Sequence, residues 1–404
     1  MPQLNKLRAA LPGDMGGDPA APPSPRLRTA LTLFFALDGF LFAGWVVRIP
    51  AIKHQTGASA ATLGLALLGV SAGAVVTMMF AGRLCRRFGS HPVTAVCGVL
   101  LSLAIALPAQ THSALSLGLV LLLFGAAYGG MNVAMNSAAV DLVAALRRPV
   151  MPGFHAAFSL GGMVGAGLGG LVAGGLSPAV HLLALTGVGL LVTAVAGPVL
   201  LSHPAPPPVA GAAGGGGAPG PDGRTRRLVL LFGVIALCTA YGEGALADWG
   251  ALHLEQDLRA HPGVAAAGYS LFALAMTAGR LSGTALLERL GQTRVLVLGG
   301  STAAAGMLLG ALAPSTWAVL LGFAVTGLGL ANIFPVAVGR AGALAGPGGV
   351  AAASTLGYGG MLLGPPAIGF LAEWASLPVA LTTVALLAVA AAVLGFGARN
   401  AAHG

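Results

Sequence analysis

Long apolar runs, almost free of charge, constrain this chain more than any other feature. Stretches such as LTLFFALDGFLFAGWVV and LGLALLGVSAGAVVTMMFAG recur along nearly its whole length. The few ionisable residues fall mainly in the short breaks between them. A bilayer core about 30 Å thick is crossed by about 20 apolar residues in a helix. Only 8% of the 404 residues are charged, whereas a soluble domain carries roughly 25%. That is too little to coat a surface in water, so the surface faces lipid. Twelve runs of spanning length are read near 29–52, 61–82, 92–109, 114–138, 152–175, 179–201, 228–252, 264–287, 294–313, 316–339, 350–372 and 377–398. Barrel strands would alternate every second residue over about ten positions; these runs are longer and uniformly apolar. The expected fold class is all-α integral membrane, with about twelve transmembrane helices.

The net charge of +9 would suit a nucleic-acid binder, but its distribution does not. Basic residues recur at alternate breaks: Lys6, Arg8, Arg26 and Arg28; Arg83, Arg86 and Arg87; Arg147 and Arg148; Arg224, Arg226 and Arg227; Arg289 and Arg294; Arg340; and Arg399. The opposite breaks carry Arg48, Lys53 and Arg259. This asymmetry is the positive-inside pattern. It predicts a multi-pass protein of the cytoplasmic membrane with both termini in the cytoplasm, and no nucleic-acid partner. Residues 1–26, polar and lacking an apolar signal core, read as a cytoplasmic tail. Cys85, Cys97 and Cys238 form neither a disulfide framework nor a metal-binding pair.

One segment breaks the rhythm. Residues 202–227, SHPAPPPVAGAAGGGGAPGPDGRTRR, are rich in proline and glycine and read as a disordered cytoplasmic linker. It separates a six-helix bundle at 27–201 from a second at 228–404. The halves share short patterns at offsets near 200. Arg86-Arg87-Phe88-Gly89 answers Glu288-Arg289-Leu290-Gly291. Gly129-Gly130-Met131-Asn132 answers Gly329-Leu330-Ala331-Asn332, and Gly161-x-x-x-Gly165 answers Gly360-x-x-x-Gly364. Three matches in order point to internal duplication, and hence to two bundles related by a pseudo-twofold axis. A looser fourth match sets Trp45 against Trp249, each just after an acid, Asp38 or Glu243.

With these residues in place, the chain from about 27 to 400 resembles the major facilitator superfamily. The segment Gly82-Arg83-Leu84-Cys85-Arg86-Arg87-Phe88-Gly89 is similar to that family's loop after span two, with Arg86 where an aspartate is usual. The second copy keeps an acid, Glu288. The resemblance implies a loop that locks the halves on the cytoplasmic side; Gly82, Arg86, Arg87, Gly89, Asp141, Arg147, Glu288 and Arg289 are its candidate members. In span five, Gly161-x-x-x-Gly165-Ala166-x-x-Gly169-Gly170 is similar to a motif of proton-coupled drug exporters, with Ala166 in place of proline. Span eleven keeps the proline as Gly364-Pro365. YGGMNVAMNSAAVDL and RRPVMPGFHAAFSLGG resemble a bacterial branch near the fucose-permease-like transporters.

A carboxylate inside a span costs on the order of 2.5–3.5 kcal/mol to insert, so each intramembrane acid needs a reason. Asp38 and Glu243 are the candidate proton-coupling groups. Asp38 could alternatively form an ion pair with Arg48. Asp248 reads as a solvated helix end. Arg280 reads as a snorkelling cation, one paired with a carboxylate, or one that binds an anionic substrate. Asn132 and Asn136 share one face of span four at i, i+4 spacing. With Asn332, Tyr128 and Trp45 they are candidate substrate contacts, and equally candidate helix bridges. His155 reads as an interfacial histidine bonded to Asp141 or a carbonyl, and Asp141 as clamping its loop through Arg147 and Arg148. Gly161, Gly165, Gly169, Gly360, Gly364 and Pro365 are helix-packing positions, and the glycine-rich spans five and eleven are expected to be the surfaces along which the bundles slide. GxGxxG at 165–170 follows no strand and signals packing, not a nucleotide.

No cofactor or metal is expected. With no GxxxxGK[ST] or HExxH, neither ATP-driven transport nor metal-dependent hydrolysis has a sequence basis, and the chain reads as a non-enzyme. The expected activity is secondary transport of a small organic solute by alternating access, coupled to protons and directed outward. The expected carrier is monomeric. Uptake of a sugar-like solute, or a non-transporting membrane sensor on the same fold, are the alternatives.

Overall fold

Helix formation follows from the solvent: in lipid every backbone N–H and C=O must bond within its own segment. In a computed structural model residues 25–58, 60–172, 175–203 and 222–399 are described, and among them all regular structure is helical. The helices are α1 (Pro25–Val46), α2 (Ile49–Thr56), α3 (Ala60–Phe88), α4 (Ser90–Ala104), α5 (Ala114–Leu146), α6 (Met151–Val172), α7 (Pro178–Ser202), α8 (Gly223–Gln256), α9 (Pro262–Leu312), α10 (Thr316–Leu330), α11 (Ile333–Trp374) and α12 (Leu377–Gly397). The expected tail 1–26 and linker 202–227 lie mostly outside the described residues. At the linker's edge, α8 begins at Gly223, earlier than 228, because the Asp222 carboxylate accepts the Thr225 N–H at 2.9 Å and caps the helix.

Among the described residues, ten stretches are long and apolar enough to cross a membrane. Two of them exceed a single crossing. Gly268–Leu312 is broken at Gly291, and Thr316–Trp374 at Ala345 and Gly346. Each break divides its stretch into two segments of spanning length, which gives twelve crossings. The first is shorter than expected: α1 stops at Val46, and residues 49–56 form the separate helix α2.

The breaks carry the duplication into the backbone. Gly89, between α3 and α4, has φ 89° and ψ 148°; Gly291, 202 positions later, has φ 75° and ψ 164°. Only glycine adopts this region without strain. Arg147 ends α5 at φ 52°, and Gly346 breaks α11 at φ 55°.

Glycine faces then set the packing. A Cβ on Gly161 or Gly165 of α6 would strike the carbonyls of Ala36 and Phe40 in α1. A Cβ on Gly360 of α11 would strike the carbonyl of Leu237 in α8, and one on Gly364 would come within 3.2 Å of that of Tyr241. Gly161 and Gly360 lie 199 positions apart, and Ala36 and Leu237 201. These two backbone-to-backbone seats are copies of each other. The glycines of spans five and eleven thus seat on helices of their own half, while other faces of α6 and α11 meet the opposite bundle. Gly169 likewise meets Val47 and His181 of the first half. The side chain of Pro365 lies outside the described residues. The same register pairs Asp38 with Thr239 and Glu243 with Phe42, so the looser match of the two acids is off by about a turn.

The halves meet through α3 against α11, α5 against α11 and α6 against α9. We call the side bearing Ser202 and Gly223 the linker side.

Candidate functional site

The residues at the interface of the halves lie at two depths. On the linker side, the contacts are again duplicated. A Cβ on Gly82 of α3 would lie 2.9 Å from the Pro347 carbonyl. In the second copy, the Thr284 hydroxyl of α9 donates to the Pro149 carbonyl at 3.2 Å. Glu288 accepts from Arg148 at 2.8 Å. Its counterpart Arg86 stands over Gly348, with Nη1 2.8 Å from where a Cβ would be. One ion pair and one cation over a glycine turn thus replace two equivalent locks. Arg147 ends α5 in the left-handed conformation. Arg87 and Arg289 are exposed, Arg87 lying 5.2 Å over the Phe88 ring. Asp141 does not clamp Arg147 or Arg148 as expected: it accepts the Ser90 hydroxyl at 3.3 Å, tying α4 to α5, because Arg148 turns across the interface to Glu288.

At mid-depth, polar side chains converge from both halves. Asp38 of α1 is fully buried and neither carboxylate oxygen has a hydrogen-bond partner. The alternative pair with Arg48 does not form: that guanidinium donates to His181 Nδ1 at 2.8 Å and to the carbonyls of Leu176 and Val172. Tyr128 of α5 and Tyr358 of α11 lie within electrostatic reach of both Asp38 and Glu243. Their rings meet edge-on at 6.1 Å. Tyr128 also stacks on Phe42 at 5.0 Å and on Phe124 at 6.3 Å. Trp45 continues that stack, 6.4 Å from Phe124, and sits inside the first half.

Asn132 reaches across the halves: its Nδ2 lies 3.5 Å from the Tyr358 hydroxyl, and its Oδ1 is unpartnered. Asn136 donates to the Asn132 carbonyl at 2.8 Å, and its Oδ1 lies 3.2 Å from His155 Nε2. His155 is therefore not the loop histidine expected; it is buried, edge-on to Phe35 and Phe334. Asn332 differs from its sequence match Asn132. It sits in the turn between α10 and α11 and donates to the Gly279 carbonyl at 2.9 Å, bridging helices of one half.

Arg280 of α9 completes the cluster. Its Nη2 donates to Glu243 Oε1 at 3.1 Å, its Nη1 to the Ser159 hydroxyl at 2.6 Å, and its Nε to the Ala331 carbonyl at 3.3 Å. Of the expected readings of Arg280 the carboxylate pair is present, and the side chain does not snorkel. Ser159 belongs to α6, so this cation joins the two halves. Glu243 is a paired acid, Asp38 an unpaired one, and Asp248 is exposed. Sequence reasoning missed Ser159, Tyr358 and Phe334. The one available signal was position: Tyr358 follows Gly357 in the glycine face of α11.

This arrangement of two repeated bundles and a polar seam agrees with the comparisons. The family model "Major Facilitator Superfamily" matches residues 30–242 and again 232–403. An uncharacterized MFS-type transporter of Yersinia pestis is 34% identical over 372 residues, covering 91% of this chain and 94% of its own length. The fold is that of FucP, the fucose:proton symporter of E. coli, solved in the outward conformation: TM-score 0.74, 15% identity, 91% of this chain and 97% of that one. The human organic anion transporter MFSD10 aligns with TM-score 0.74 and 18% identity over 93% of this chain and 100% of that one. A multi-pass helical protein with duplicated halves, matched by the family model over both and by a relative along nearly its whole length, this chain belongs to the Major Facilitator Superfamily of transporters.

Proposed function

We propose that the chain is a monomeric secondary transporter of the cytoplasmic membrane that moves a small organic solute by alternating access, coupled to protons through Asp38. The linker side is the cytoplasmic side in this reading, as the basic residues require. The observation that carries it is the Asp38 carboxylate, fully buried in α1 of the first bundle without any hydrogen-bond partner. An ionised carboxylate so placed costs several kcal/mol, so in this conformer it holds a proton. Rocking the bundles rehydrates the site, the proton leaves, and the balance between the two orientations changes. Export is the direction supported by α6, whose exporter-like glycines seat directly on α1 on either side of Asp38. Tyr128, Asn132 and Tyr358 supply hydrogen-bonding groups to a solute.

Proteoliposomes bearing a pH gradient test this. A metabolite panel screened by thermal shift supplies the solute. Its movement should collapse the gradient, and Asp38→Asn should abolish gradient-driven movement while counterflow exchange continues. Driven movement at the normal rate in Asp38→Asn removes Asp38 from the coupling role. Binding without any flux returns the sensor reading. Direction is read in a deletion strain: sensitivity to a compound supports export, and loss of growth on a carbon source supports uptake.

A further inference from the structure

Proton coupling through Asp38 leaves Arg280 unused. Its side chain is 8% exposed, in the middle of a membrane segment, whereas that of its partner Glu243 is 23% exposed. A guanidinium offers five N–H donors in a planar fork and seats a carboxylate best through two parallel bonds. Here Glu243 takes only one nitrogen, at 3.1 Å. A hydroxyl of the opposite half takes another at 2.6 Å, and a peptide carbonyl a third at 3.3 Å. The pair is single-pronged, and its acid is the more exposed member. A permanent structural pair would gain by closing both prongs in a dry site. The contact to Ser159 also ties the cation to the motion of the halves.

We propose that the solute is a small organic anion whose carboxylate takes the place of Glu243 on Arg280, while Glu243 accepts a proton from water and becomes neutral. This inference rests on the transporter reading above and names its substrate class. Charge balance carries it. Arg280 with one carboxylate is neutral; a second carboxylate would leave a net negative charge in a low-dielectric seam, and one proton on Glu243 restores neutrality. The titratable groups facing the pair are Tyr128 of α5, His155 of α6, Tyr269 of α9 and Tyr358 of α11, with Asp38 and Asp248 beyond them. Among these described residues there is no second permanent cation to take the charge.

The test compares benzoate with its uncharged isostere benzamide on the purified full chain, by intrinsic fluorescence and thermal shift. Benzoate binds and benzamide does not. Binding takes up one proton, so benzoate affinity rises as the pH falls, by at most about tenfold per unit. Glu243→Gln binds benzoate at every pH, and Arg280→Gln loses at least about tenfold in affinity. Should Arg280→Gln fail to fold, Arg280→Lys, which lacks the planar fork, shows the same direction of loss. The proposal is overturned if benzoate binds no better than benzamide in both the natural chain and Glu243→Gln, or if the Arg280 variants bind benzoate normally. The two readings fail separately. Flux without anion preference sinks only the substrate class, and anion-specific binding without flux sinks the transporter reading.

Discussion

A single amide, Asn136, shows how polar side chains are made tolerable inside a span. It is fully buried, donates backward to the Asn132 carbonyl, and pairs with His155. A leucine there would keep the volume and strip His155 of its partner. Leaving a buried ring nitrogen unsatisfied costs about 1–3 kcal/mol. Asn136→Leu should therefore lower the melting temperature in detergent clearly, and Asn132→Leu less, since Asn132 loses only a 3.5 Å side-chain contact. Equal losses would show that His155 does not depend on Asn136. This is also the scale at which the sequence is most and least readable. Asp38, Glu243, Asn132 and Asn136 stand out because such groups are costly in lipid. Ser159 and Tyr358 do not, because a hydroxyl in a span bonds its own preceding turn at little cost, as Ser137 does to Val133 and Thr239 to Ile235. Which hydroxyl reaches the other half is decided by tertiary packing alone.

Among helices, glycine placement does the discriminating. The chain has 64 glycines, but they are not equivalent. Gly161 and Gly360 press on backbone carbonyls, in α1 and α8 respectively, while Gly167 of α6 has nothing within 4 Å of its would-be Cβ. A backbone cannot swing aside as a side chain does, so Gly161→Ala and Gly360→Ala each force their helix pair apart. Overpacking of this kind costs about 1–3 kcal/mol. Gly167→Ala should instead be neutral or stabilising by up to about 1 kcal/mol, because alanine favours the helix. Thermal unfolding of the three variants checks the ordering, and a loss in Gly167→Ala matching the other two would refute it. The spans were legible for a simple reason: bilayer thickness fixes their length. The breaks at Gly89 and Gly291 were legible as matching motifs. The partner of each glycine face was not, because small-residue spacing says that a face is packed and not against which helix. Hence these glycines are seats within each half, although the spans that carry them also border the other bundle.

At the scale of the whole molecule, duplication makes the departures from symmetry informative. The linker side is closed by two related contacts, of which only Glu288–Arg148 is ionic; at the other, Arg86 stands over Gly348. The ion pair is exposed, with side-chain accessibilities of 59% and 38%, so it is worth at most about 1 kcal/mol and is weakened by salt. That is too small to hold the fold together, but 1 kcal/mol still moves a two-state population about fivefold. The pair therefore acts on the balance between orientations and not on stability. Thr284 and Pro149 are in contact across the same closure, so cysteines placed at 149 and 284 report it through their rate of disulfide formation. Glu288→Arg should slow that rate by several-fold through like-charge repulsion, with little change in melting temperature. Adding Arg148→Glu should restore it, and high salt should narrow the difference. If the rate is unchanged in Glu288→Arg, the closure is carried by the packing of Gly82 on Pro347 and of Thr284 on Pro149, and the surviving charges of the loop have no part in it.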